Sequence, residues 1–141
     1  LKRQGRAEEH LALFYPETLD EKAELFKTLQ RKLDIKVKDF PLTDIFKNFK
    51  FEVSGADIEA ILVRAKMTAT MDNRAIVTRE DMEETVRDFI PPAYPYEIEL
   101  QNLVAVLECT SREMVPAKYQ KMERSKLAGE IRELKQLLGE K

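Results

Sequence analysis

Ser54-Gly55-Ala56-Asp57-Ile58-Glu59-Ala60-Ile61-Leu62-Val63-Arg64-Ala65-Lys66-Met67-Thr68-Ala69 is the stretch whose reading decides the fold. Ser54 is a good helix N-cap, because its hydroxyl can accept the N–H of the third helical residue. Asp57 stands at that third position, where its carboxylate can reach back to the cap. Ile58, Ile61, Leu62, Ala65 and Ala69 then recur at steps of three and four, which gathers them on one face of a helix. That helix is predicted to end near Asp72-Asn73, residue types that leave helical geometry readily.

The same device recurs on either side. Downstream, Thr78 with Asp81 opens a helix whose inward face is Met82, Val86, Phe89 and Ile90, and Pro91-Pro92 stops it. Between the two helices Ile76-Val77 is an apolar pair too short to predict a strand. Upstream, Thr18 with Glu21 opens a helix running to about Leu33, with Leu25, Phe26, Leu29 and Leu33 on one face. A short helix follows Pro41, carrying Leu42, Ile45, Phe46 and Phe49. Residues 17–90 therefore read as four amphipathic helices on short loops, a compact four-helix unit.

Further out the pattern changes. Leu11-Ala12-Leu13-Phe14-Tyr15, closed by Pro16, is a short apolar run that fits a buried strand better than a helix. Nothing else in the chain supplies it with a partner strand, and the sequence does not begin with Met. Both point to a fragment with a sheet domain expected upstream. On the other side, the linker Pro91-Pro92-Ala93-Tyr94-Pro95 leads to a fifth helix near 96–114. Its Ile98, Leu100, Leu103, Val104, Val106 and Leu107 make a wide apolar arc, expected to be buried on more than one side. After Pro116, Leu127, Ile131, Leu134 and Leu138 are spaced 4-3-4 on a sixth helix, under two heptads and so too short for a coiled coil.

Composition removes several classes of function. The net charge is −2, so no global basic field attracts nucleic acid. The sixth helix has Lys118, Lys121, Arg124, Lys126, Arg132 and Lys135 before or within it, but Glu123, Glu130 and Glu133 interleave, and the face reads as solvated. No apolar run approaches the roughly 20 residues a membrane span needs, and Leu1 to Arg6 has no signal-peptide character. Cys109 is the only cysteine and reads as a small core residue; with no internal disulfide possible, a cytoplasmic location is favoured. His10 is the only histidine, so no metal site of the usual soft ligands can be assembled. None of the four glycines frames a phosphate loop ending in Gly-Lys-Ser/Thr. The chain holds no complete active site.

Two motifs in this helix order carry a resemblance. They are Arg3-Gln4-Gly5-Arg6 and Ser54-Gly55-Ala56-Asp57-Ile58-Glu59-Ala60-Ile61, the latter followed by Arg64-Ala65 and by Ile76-Val77-Thr78 with Asp81. Residues 1–90 resemble the C-terminal end of an AAA ATPase module, of the clade that includes membrane proteases, unfoldases and segregases. The fold implied is all-α: residues 1–16 as the tail of a sheet domain with its last strand, 17–90 as the helical lid, and 91–141 as a two-helix C-terminal extension outside the resemblance. In such proteins the lid closes over ATP and its magnesium, which the sheet domain holds.

The resemblance implies that Gly55 and Ala56 contact adenine and ribose. It implies that Arg3 and Arg6 are arginine fingers acting in trans on the neighbour's ATP, where a guanidinium stabilises charge on the transferred phosphoryl group. Here Gln4 and Ala7-Glu8 stand where the family often has Pro or Phe before the glycine and Phe-Asp after the second arginine. The clade lacks the lid arginine that related ATPases use on the phosphates, and Arg64 reads as a packing or solvated residue. The parent protein is expected to be a homo-oligomeric ring, usually a hexamer, remodelling a protein or complex. The fragment itself is expected to be inactive, without bound ATP, Mg or other metal. The alternative is a non-enzymatic helical interaction module or adaptor. A phosphate loop roughly 130–160 residues before Leu1 separates the two.

Overall fold

The computed structural model describes residues 9–47, 49, 52–90 and 95–139. Among them it is all-α, with six helices: α1 Leu19–Lys32, α2 Leu42–Phe46, α3 Gly55–Met71, α4 Arg79–Asp88, α5 Pro95–Glu108 and α6 Arg124–Leu137. The chain divides into two compact units, one from Tyr15 to Pro92 and one joining the N-terminal segment to residues 93–141.

The Tyr15–Pro92 unit holds α1 to α4. All three predicted capping boxes form. Thr18, Ser54 and Thr78 each accept the N–H of the third helical residue, and Glu21, Asp57 and Asp81 each answer to the cap backbone. Each cap contributes roughly 1 kcal/mol. The core contributes more. Phe26, Phe46, Ile45, Ile58, Ile61, Leu62 and Met82 are fully buried, at about 1.5–3 kcal/mol apiece. Packing therefore holds this unit together, and the caps set where its helices start. Phe26 and Phe46 meet edge to face, with ring centres 6.0 Å apart.

The helix ends are closed by a device that the sequence conceals. α1 and α3 both finish in Schellman turns: Ile35 N–H reaches Gln30 O and Asp34 N–H reaches Arg31 O, while Arg74 N–H reaches Ala69 O and Asn73 N–H reaches Thr70 O. The turning residues are Asp34 (φ 51°) and Asn73 (φ 56°), not glycine. The two loops that follow are tied to each other. Val37 and Val77 form a parallel β-bridge, with Lys38 N–H on Val77 O at 2.8 Å and Val77 N–H on Lys36 O at 2.9 Å. The apolar pair Ile76-Val77 thus supplies one rung of sheet, with Val77 fully buried.

The other unit is built on α5 and α6. Leu100, Leu103, Val106, Tyr119, Leu127 and Ile131 form its core, with Phe14, Leu134 and Leu138 packed against it. Of the wide arc of α5, Ile98, Leu100, Leu103 and Val106 are buried, whereas Val104 is exposed. α5 ends at Glu108, earlier than expected, because residues 109–123 form turns before α6.

Two expectations are corrected. The 11–15 run is not a buried strand: Leu13 is 91% exposed, Leu11 is exposed, and none of Leu11 to Tyr15 makes a backbone–backbone hydrogen bond among the described residues. Its neighbour His10 instead exchanges hydrogen bonds with Thr110, and Phe14 packs on the α5–α6 core. Ile90 does not face inward but is 83% exposed, because α4 ends at Asp88 and Phe89 turns extended.

Candidate functional site

The site expected from the sequence lies at the start of α3, where Ser54 is extended (φ −83°, ψ 167°) and Gly55 is the first helical residue. Ser54 and Asp57 lock together through three hydrogen bonds. The Ser54 N–H and hydroxyl both donate to Asp57 Oδ2, at 2.9 and 2.8 Å, and the Asp57 N–H donates to Ser54 Oγ at 3.1 Å. This fixes the first turn and uses the N–H of Asp57. The N–H groups of Gly55 and Ala56 make no hydrogen bond among the described residues. They are two of the donors that any helix start leaves over. Ala56 is exposed and Gly55 half-buried.

The glycine has no packing role here. A Cβ built at Gly55 would meet only Leu25 Cδ2, at 3.8 Å, an ordinary contact. Its φ does not require glycine either. The bare backbone at 55 is therefore not demanded by the fold. Beyond Ala56 the outer side of α3 is a shallow depression lined by Ala56, Glu59, Ala60, Val63 and Arg64. Electrostatics restricts what can sit at this helix start. The Asp57 carboxylate already occupies the positive end of the helix dipole, so the two remaining N–H groups suit an uncharged acceptor better than a phosphate.

Arg3 and Arg6, the other predicted pair, lie outside the described residues. Arg64 is exposed, with its guanidinium over the Phe89 ring, 5.4 Å from its centre. Cys109 is buried, as expected of a small core residue. No group of three His, Cys, Asp or Glu side chains that could hold a metal occurs among the described residues, nor does any helix there long and apolar enough to cross a membrane.

One polar constellation was not anticipated. Asp81, the capping acid of α4, takes a two-pronged clamp from Arg74: Nη1 to Oδ2 and Nη2 to Oδ1, both at 2.7 Å. Arg74 also donates to Ile76 O and to Asp72 Oδ2, and Asp81 also accepts the Thr78 N–H at 2.8 Å. The Asp81 side chain is only 6% exposed. The Arg74 hydrogen bonds, outweighing burial, hold its carboxyl down at about 2, below the ordinary 3.8. Arg74 is held more firmly protonated by the same bonds. Both Arg74 Nη groups and both Asp81 carboxylate oxygens are engaged inside the chain, so this pair is a structural clamp. The pair meets through the Schellman turn at Asn73, and an αL asparagine is not visible from residue type alone.

No family model matches the chain, and no curated protein or solved structure matches it.

Proposed function

We propose that the Tyr15–Pro92 unit is the lid of an AAA-type ATPase, contributing the backbone of Gly55 and Ala56 to the adenine and ribose of ATP. The observation that carries this reading is the start of α3. It combines a rigid Ser54–Asp57 cap, two unused N–H groups and a glycine whose absent side chain the fold does not need. A flat base can approach such a backbone closely. The uncapped N–H groups at 55 and 56 suit the neutral acceptors of a base and sugar, and no group of three His, Cys, Asp or Glu side chains among the described residues could hold magnesium, whose holders belong to the expected upstream sheet domain. ATP, when bound there, supplies the free energy of phosphoryl transfer. The lid's own part is to bind, to orient and to exclude water. Arg3 and Arg6 are proposed to serve the neighbouring subunit of a ring, in remodelling a protein or complex.

The second reading, a non-enzymatic helical interaction module, is favoured by a different observation. Val63, Met67 and Met71 stand one turn apart along α3 and are all exposed, Met71 at 82%. Exposed apolar rows of this kind mark contact surfaces. The upstream reading frame separates the two proposals: a Gly-x-x-x-x-Gly-Lys-Ser/Thr loop favours the motor, and its absence the adaptor. On the lid reading the purified 141-residue chain hydrolyses ATP no faster than buffer, in a coupled phosphate-release assay. Saturable turnover there contradicts it.

A further inference from the structure

We draw no further inference here: the strongest candidate, the apolar groove between the C-terminal end of α1 and the outer face of α3, lined by Leu33, Ile35, Val63, Met67 and Met71 with Lys66 and Asp34 at its rim, has opposite charges beside it that single out no partner, and nothing in the structure shows what covers it.

Discussion

α3 and α4 begin with the same local chemistry and put it to different uses. Each has a hydroxyl cap, Ser54 or Thr78, and an aspartate at the third helical position that closes a capping box. At α4 the aspartate is buried and clamped by Arg74, and Glu80 turns its own carboxylate onto the helix start, where its backbone N–H and the Thr78 hydroxyl lower its pKa. That helix start is consumed by the fold. At α3 the first two positions are glycine and alanine, and among the described residues their N–H groups make no hydrogen bond and the Asp57 carboxylate bonds only to Ser54. A capping box thus fixes a helix start without saying whether the end is spent. The neighbouring residues decide that.

The contrast is broken most severely at the clamp. Asp81→Ala leaves the part-buried Thr78 N–H without its acceptor and Arg74 without its main partner. Because Arg74 is a third exposed and can rehydrate, the cost sits at the lower end for a broken buried pair, about 3 kcal/mol. Urea denaturation of the wild type and the variant measures it.

Acid breaks the same contact more gently. The folded carboxyl titrates at about 2 and the unfolded one at its ordinary 3.8. As pH falls below about 4 the unfolded chain takes the proton first, so stability falls with pH. The contribution, on the order of 2 kcal/mol, is fully present above the unfolded value and gone once pH passes below about 2. Denaturation midpoints of wild type and Asp81→Asn, measured between pH 6 and 2, are expected to converge at the acid end. Parallel curves contradict the assignment.

Arg74→Lys is the milder test of geometry. It keeps the charge and loses the planar fork, so about 1 kcal/mol is expected to go. A thermal melt that does not move would show that charge alone holds α4.

Much of this contrast was legible in the sequence, and the part that was not has a common cause. Helices α1, α3 and α4 were predictable because Thr18–Glu21, Ser54–Asp57 and Thr78–Asp81 are contacts between residues three apart, encoded where they act. The all-α class followed from these caps and from the spacing of Ile58, Ile61, Leu62 and Ala65. The clamp was hidden because Arg74 and Asp81 meet only through a left-handed turn at Asn73, a residue that does not announce one as glycine would. The 11–15 run was misread because an apolar pentapeptide states that it can pair, not that a partner is present. At the candidate site, Gly55 and Ala56 were named from a resemblance. That Gly55 has room for a side chain emerges only from where Leu25 lies.

The smallest expected effect on stability is also the most decisive for function. At the α3 start, Gly55→Ala in the 141-residue chain is expected to leave the melting temperature unchanged or slightly raised, by no more than about 1 kcal/mol of stability, since alanine suits the first turn and meets no obstruction. Gly55→Val carries the central claim. It places two methyl groups where the base is proposed to lie. The direct measurement is ATP affinity, by isothermal titration, in the longer protein that includes the sequence before Leu1, set beside thermal melting of the 141-residue chain for the same substitution. The account predicts a loss of affinity of roughly tenfold or more, as expected for about 1.4 kcal/mol, with a melting temperature that does not fall. Unchanged affinity, or a loss of fold without an effect on ATP, would contradict it.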